Sequence, residues 1–531
     1  MEAAKNLAYN KQLFEKAVNK AQKSFKSGKL NSAMAWAQIG ADFAEARHPG
    51  FYADKTLESL LLEIAAKLGN CEKIKLGQPN ISLNSSGKKK VLHVLTEALV
   101  DGGHTRVVTE WIKNTSDTCI SGLVTTDQKG PLPTDVASTL KKTGGWYRSL
   151  SVNSPNLIAR AQLLNQLSRD WADLVVLHIH PYDAIAIVAF GVEDGSPVIF
   201  FNHAGHVFWL GASVADAVAD ILPWQQETTL NRHGVKNSKI LPIPIPKPSN
   251  ESNYDEARKK LGLQKNNVML LTIGGDFKYT PYAGYNFIEV LLKILKKHPN
   301  AILFAIGPRN QGKWAKASDQ VNGRIRALGS MNFTKLHTFY DASDIYVDSF
   351  PLAGGVALLQ AGVLGKPLIG LREKEAPNIN LSGDVALRSF DIFAPSVEAF
   401  HDSLENMITE PLKFRDLAYR VKEKIEAAHC SPGWNRYLDE VLQSLPLQHS
   451  THNINPLNFP PDSAEVFLEG FQAAYQSDED PYNCFGRKIF KNSRYLSQME
   501  RARILPDIMP RIKDIQTLKD SIGFVKKALF E

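Results

Sequence analysis

The residues of this sequence whose types and spacing could do chemistry are two glycine pairs, a lysine beside a third pair, and two closely spaced histidines. Gly354-Gly355 separates the short apolar run Ile345 to Val347 from a helical pattern that begins near Val356. Glycines let backbone N–H groups approach an anion, and the positive end of a helix dipole faces the same spot, so such a junction can hold a phosphate. The stretch Gly365-Lys-Pro-Leu-Ile-Gly370 then ends that helix and enters another strand. Gly102-Gly103 repeats the arrangement, after the strand-like Val91–Leu95 and before a helical pattern carrying Arg106, Val107, Val108 and Trp111. A single strand–glycine–helix junction can exist for packing alone. Two of them favour a pair of nucleotide-fold halves, each opening a cleft at the carboxyl end of its sheet.

Between residues 91 and 371 these features resemble the nucleotide-sugar glycosyltransferases of the GT-B fold. Gly102-Gly103-x-x-Arg106-Val107-Val108 is similar to the first loop of the retaining family 4 enzymes, and Asp344 to Gly370 to their donor-binding segment. Family 4 enzymes usually carry two glutamates there. Gln360 stands at the second position, and the first has no acidic counterpart near Leu352. The phrase Asp348-Ser-Phe-Pro-Leu-Ala-Gly-Gly355, with His337 upstream, resembles instead the O-GlcNAc-transferase-like enzymes. The resemblance implies two Rossmann-like domains facing one another, a UDP- or GDP-type sugar donor as substrate with no further cofactor, and a hydroxyl acceptor on a glycan, lipid or protein. It leaves retention or inversion open. Two other functions suit the same fold. One is a nucleotide-sugar epimerase, for which added helical regions are unnecessary; the other is an inactive scaffold that binds a partner, favoured by the missing glutamates and opposed by the histidines and lysine below.

Transfer from a nucleoside diphosphate sugar must stabilise the leaving diphosphate, so cations and backbone amides should converge on it. Lys278, just after Gly274-Gly275, is the first candidate, set against the ordinary reading of a solvated loop lysine; Arg309, after Gly307-Pro308, is a weaker one. With Gly274, Gly275, His337, Gly354, Gly355 and Gln360 they form the expected donor set, and Gly102, Gly103 and Arg106 the expected acceptor or phosphate loop. In Asn202-His203-Ala-Gly-His206, which ends an apolar run, a neutral histidine can take a proton from an acceptor hydroxyl or orient the sugar, so His203 and His206 are the catalytic candidates. The alternative is a capped turn. His178 and His180 share a face by strand alternation and could line the same cleft. His203-x-x-His206 has no further ligand in evident reach and no Asp-x-Asp pair stands on a loop, so metal-independent chemistry is expected.

What must position these groups is an α/β chain too long for one core: 531 residues imply two main domains with additions. A helical extension is expected over residues 1–80, with breaks at Ser27-Gly-Lys-Leu and His48-Pro-Gly-Phe and a spacing like a helical-hairpin repeat, too short for a solenoid. A Rossmann-like acceptor domain follows over 88–246, a Rossmann-like donor domain over 247–445, and a second helical extension over 446–531. Strands are expected at Val91–Leu95, Cys119–Thr125, Leu174–Ile179, Val198–Asn202 and Ala217–Leu222 in the first domain. In the second, strands are expected at Val268–Ile273 and Ala301–Ile306, with a helix over Tyr285–His298 between them. Leu241-Pro-Ile-Pro-Ile-Pro-Lys-Pro248 is a stiff crossing between the two, since each proline fixes φ and forbids helix.

A hydrophobic content of 44% is that of a globular protein, and the longest apolar run, Ala184 to Val192, is too short to span a bilayer. The four cysteines are scattered without a Cys-x-x-Cys, which points to a reducing compartment. Met1 to Asn19 mixes charged and apolar residues and does not read as a signal peptide. A cytoplasmic protein is expected. The formal charge of +7 is mild, but eleven basic residues against five acidic ones fall between Asn483 and Glu531. That tail reads as a solvated helical surface or as a docking face for anionic lipid at the inner face of a membrane, or for an acidic partner. Nucleic acid is not expected, because no recognition module accompanies the charge.

Overall fold

The computed structural model describes residues 2–69, 87–100, 102–152, 154, 156–248, 253–372, 380–457, 459–476 and 480–508. It opens with three helices, α1 (Glu2–Lys26), α2 (Leu30–Ala46) and α3 (Lys55–Leu68). Gly28 makes the first turn at φ 72°, a conformation that suits glycine, and Asp54 caps α3 by accepting from the Leu57 N–H. Helix α2 is rich in alanine because neighbours press on it from almost every side: Ser32 to Ala44 are all buried.

The first domain alternates β1 (Lys89–Leu95), α4 (Gly103–Asn114), β2 (Cys119–Thr125), α5 (Thr134–Lys142), β3 (Trp146–Ser149), α6 (Leu157–Trp171), β4 (Leu174–His178), α7 (Ala184–Phe190), β5 (Val198–Asn202), β6 (Ala217–Asp220), α8 (Pro223–Arg232) and β7 (Ser238–Ile240). Its strands pair in parallel in the order β3-β2-β1-β4-β5-β6-β7. The second domain contains α9 (Tyr254–Lys260), β8 (Val268–Ile273), α10 (Phe287–Lys297), β9 (Ala301–Ile306), α11 (Gly312–Asp319), β10 (Ile325–Ala327), α12 (Phe333–Ala342), β11 (Ile345–Val347), α13 (Val356–Val363), β12 (Leu368–Leu371), β13 (Phe393–Ala394), α14 (Val397–Thr409), α15 (Arg415–His429) and α16 (Gly433–Gln443). Its order is β10-β9-β8-β11-β12-β13, again parallel. Strands such as β4 and β9 are buried along their whole length, which is why they read as unbroken apolar runs without alternation.

Several expected boundaries shift, and β1 begins at Lys89. Strand β4 stops at His178 and β6 at Asp220, because Pro181 and Pro223 follow closely and Pro223 already opens α8. Helix α10 starts at Phe287, since the Asn286 side chain accepts from the Glu289 N–H and caps it. Along the proline-rich crossing, the Pro242 carbonyl accepts from Trp434 Nε1, the Ile243 carbonyl lies 2.8 Å from His429 Nδ1, and the Ile245 N–H donates to the His429 carbonyl. The crossing is therefore clamped by α15 and α16.

After α16 come α17 (Ser463–Gln476), α18 (Pro481–Asn492) and α19 (Gln498–Ile508). The sequence presents the two helical ends as separate additions, but they pack together. Arg47 after α2 pairs with Glu469 of α17, both fully buried; Lys488 and Lys491 of α18 pair with Asp42 of α2 at 2.6 and 2.8 Å.

Candidate functional site

Both glycine junctions open onto one gap between the domains. A Cβ built on Gly103, at the start of α4, would stand 3.7 Å from Val356 Cγ2, at the start of α13. One turn further along, Arg106 donates through Nη2 to Gln360 Oε1 at 3.3 Å, joining the two domains. Burial lowers the Arg106 pKa, opposed by Tyr340 and Glu110. The amino ends of two helices from opposite domains thus meet with a guanidinium beside them, an arrangement built for an anion.

Asp348, after β11, shapes the second junction. Its Oδ1 accepts from the Ser349 N–H at 3.0 Å and the Gly354 N–H at 2.8 Å. Burial raises its pKa to about 6, against the pull of the Gly354 amide, Lys278 and the Ser349 amide. The Gly354 amide is therefore committed to Asp348. The anion donors left at the junction are the first amides of α13, those of Gly355, Val356 and Ala357, which have no intrahelical acceptor. Gly355 is held at φ 61° and ψ −108°, where an L side chain is strained, and a Cβ on Gly354 would fall 2.6 Å from Asp348 Oδ1.

Lys278 lies in a single turn, Asp276–Tyr279, after β8. Its Nζ donates to the Ala353 carbonyl, the residue before Gly354, in the field of Asp348, and burial lowers its pKa. A freely solvated loop lysine is not what the fold makes of it. Gly274 and Gly275 serve packing: a Cβ on Gly274 would press on Lys278 Cδ at 3.1 Å, and one on Gly275 would strike the Phe277 ring at 2.8 Å.

From the first domain come the histidines. His203 stacks on His104 with ring centroids 5.6 Å apart, and His104 meets His180 edge-on at 5.4 Å. Burial, with His104 and His180 nearby, lowers the His203 pKa to about 3; burial and Lys278 lower that of His206 to about 4. Both are neutral at pH 7 and able to hydrogen-bond a hydroxyl, and the field of Lys278 at His206 ties that loop to the second domain. His178 is different: it is fully buried behind this group, 3.2 Å from His93 and packed on Trp111 and Phe201. Sequence reasoning missed His104, whose only signal was its place directly after Gly102-Gly103.

Two other candidates are exposed. Arg309 is exposed on the loop after β9, in a bridge with Leu328, and His337 is exposed on α12. The basic tail is in part no free surface: besides Lys488 and Lys491, Arg494 is spent on Asp127 at 2.6 Å. Arg511, Lys513, Lys519, Lys526 and Lys527 lie outside the described residues. Helix α17 closes one side of the cleft, with Glu465 bound by Arg232 of the first domain at 2.5 Å and Phe467 and Phe471 packed around Tyr282 of the second, next to Leu352 of the glycine-junction loop. Among the described residues no three His, Cys, Asp or Glu side chains gather as a metal site, and no helix is long and apolar enough to cross a membrane.

No protein-family model matches the chain, and no curated protein sequence matches it. Solved structures do match in three dimensions. HepE from Anabaena, solved with UDP and glucose, aligns with a TM-score of 0.50 at 14% identity over 67% of this chain and 100% of its own. A glycosyltransferase from Rickettsia africae aligns with a TM-score of 0.51 at 13% identity over 67% of this chain and 98% of its own. TarM from S. aureus, a point mutant solved with fondaparinux, a GlcNAc-glycerol and UDP, aligns with a TM-score of 0.51 at 10% identity over 67% of this chain and 99% of its own. At such identities the likeness is one of fold: two parallel sheets with alternating helices, the GT-B arrangement.

Proposed function

We propose that this GT-B chain is a glycosyltransferase that moves a hexosyl group from a UDP- or GDP-type donor to a hydroxyl of a glycan, lipid or protein. The observation that carries the reading is the convergence of the α4 and α13 amino ends, Arg106 and Lys278 on one gap between the domains. HepE and TarM, which share the fold, were solved with UDP bound.

In this reading the diphosphate seats against the first amides of α13 with its charge facing Lys278 and Arg106. As the glycosidic bond breaks, negative charge grows on the leaving diphosphate, and these fixed donors stabilise it more than they stabilise the intact donor. Lys278 exchanges the Ala353 carbonyl for a phosphate oxygen. The acceptor binds against the first domain, where either His203 or His206 takes the proton of its hydroxyl as that oxygen bonds to the anomeric carbon, and the other orients it; the nearby diphosphate raises their depressed basicity toward that task. The two cations do the work that a divalent metal does in other sugar transfers, so the reaction is proposed to run without one. The proposed setting is the cytoplasm, with the basic residues beyond Ile508 as a contact for an anionic membrane face or an acidic partner.

Calorimetry with UDP and GDP, followed by turnover of UDP- and GDP-hexoses in the presence of EDTA, tests this. Nucleotide binding with sugar release or transfer supports it. Failure of both nucleotides to bind leaves the scaffold reading, and interconversion of the donor sugar without its release identifies an epimerase.

A further inference from the structure

Helix α17 touches three parts of the molecule, and its contacts differ in kind. With the amino-terminal helices it shares buried polar bonds: Arg47 pairs with Glu469, the His48 N–H donates to Gln472 Oε1 at 2.9 Å, and Gln472 and Gln476 donate to the carbonyls of Glu45 and Ala46 at 2.8 and 2.6 Å. The first domain holds it through Arg232 and Glu465. The segment leading into α17 is bonded to that same domain, with His449 Nδ1 2.7 Å from Asp216 Oδ2 and the N–H groups of His452 and Leu457 donating to the carbonyls of Ser213 and Asn231. Against the second domain the contacts are ring on ring: Tyr282 with Phe467 and Phe471, Tyr285 with Phe467, and Phe277 with Tyr475. Breaking a buried ion pair strands a charge, whereas separating aromatic faces strands none. The weaker seam therefore runs between α17 and the second domain.

That seam contains a fitted joint. Gly470 sits in the middle of α17, where glycine weakens a helix, and a Cβ there would overlap the hydroxyl and ring of Tyr282. Tyr282 is held out to meet it by a two-residue hairpin. The N–H groups of Tyr282 and Tyr285 donate to each other's carbonyls at 3.0 and 2.8 Å, and Ala283 and Gly284 both take positive φ, 49° and 86°, the pattern of a type I′ turn. An alanine in that conformation persists where its surroundings impose it. The seam also lies beside the donor lysine. Phe277 precedes Lys278 and packs on Tyr475; Leu352 precedes Ala353, whose carbonyl Lys278 holds, and packs against Phe467, Leu468 and Phe471. The residues flanking both ends of the Lys278–Ala353 contact thus lie against α17.

Resting on the transferase reading, in which Lys278 leaves the Ala353 carbonyl for a phosphate oxygen, we infer that α17 is a gate carried by the first domain and the amino-terminal helices. Tyr282 and Gly470 are its catch, and the donor enters and the nucleotide leaves when this seam parts. Both are positioning residues: they touch no reacting atom and set the rate of exchange.

The test uses the full chain with two single variants and their combination. Gly470→Ala suits a helix but overfills the notch, and Tyr282→Leu withdraws the ring. Stopped-flow fluorescence with an anthraniloyl derivative of UDP gives the association and dissociation rate constants, and calorimetry with unlabelled UDP gives the Kd. Each folded single variant is expected to raise both rate constants about three- to tenfold, the scale of one lost aromatic contact, while the Kd stays within about threefold. The double variant should exchange no faster than Tyr282→Leu alone, because without the ring an alanine at position 470 has nothing to strike. Unchanged rate constants in both single variants overturn the gate. Faster dissociation with unchanged association overturns it too, since α17 would then clasp a bound nucleotide without barring its entry. Additive effects in the double variant overturn the catch. A parent chain that binds neither UDP nor GDP refutes the transferase reading itself, and the gate falls with it.

Discussion

Replacing Lys278 with methionine keeps the apolar stem of the side chain and removes one charged donor. Two effects follow from its neighbours. The diphosphate loses a charge-assisted hydrogen bond, worth about 1.5–3 kcal/mol, so the Kd for UDP or GDP should rise about 13- to 160-fold. The empty protein also changes, because the Ala353 carbonyl loses its donor and Asp348 loses the cation that tempers its burial. That should cost about 1 kcal/mol of stability near neutral pH. The sign of its pH dependence is fixed: the carboxyl of Asp348 is costly only when charged and Lys278 holds its pKa down, so the deficit of the variant should shrink as pH falls toward about 6 and be lost below it. Calorimetric titration with both nucleotides and thermal melts at pH 7.5 and 5.5 measure the two effects separately. A folded variant whose nucleotide affinity lies within twofold of the parent refutes the placement of Lys278 at the diphosphate, whatever happens to its melting temperature.

Four further outcomes follow. His203→Asn or His206→Asn should lower turnover roughly 10²–10⁴-fold with UDP affinity nearly unchanged, as steady-state kinetics beside calorimetry will show, because these side chains are assigned to the acceptor hydroxyl and not to the diphosphate. Gly103→Ala should leave stability intact but weaken UDP binding, whereas Gly355→Ala should cost about 1–2 kcal/mol in a denaturant melt because of the positive φ there. The protein should lose stability on acidification below pH 6.5. Burial depresses both His93, to about 3, and His178, so each contributes fully above its ordinary 6.5 and loses about 1.4 kcal/mol for each unit below it. Asp220 and Asp348, raised to about 6, act in the opposite sense, and His93→Phe should flatten the melting profile between pH 7 and 6. Finally, Arg47→Met leaves Glu469 buried without its partner and should cost about 3–5 kcal/mol in the same kind of melt; a negligible change would mean that α17 is not held where it is described.

What was legible in the sequence is what depends on neighbours along the chain. Val268–Ile273 and Ala301–Ile306 are strands over those very residues because doubly buried parallel strands need unbroken apolar runs, and Gly354-Gly355 announced a strand-to-helix junction through its own backbone freedom. What stayed hidden depends on pairings between distant segments. Nothing near Gln360 names Arg106 as its partner, 254 residues away, and nothing near Lys278 shows that it will be folded onto Ala353. His104 looks like any loop residue until β4 and β5 bring His180 and His203 beside it. Lys488, Lys491 and Arg494 read as a basic surface because Asp42 and Asp127, which absorb their charge, lie hundreds of residues earlier.

The burial of α2 on almost every side has a consequence for how the chain is made. Part of its cover is α18, whose Phe485 ring sits 5.3 Å from that of Phe43, and Asp42 waits for two lysines of the same helix. A ribosome delivers α2 more than four hundred residues before α18. Throughout that interval the nascent chain carries an apolar helix face and a carboxylate without these two counter-ions, and only when α18 emerges can α2 settle into place. Truncations that remove α18 should therefore harm α2 and its neighbours more than the sheets that lie between.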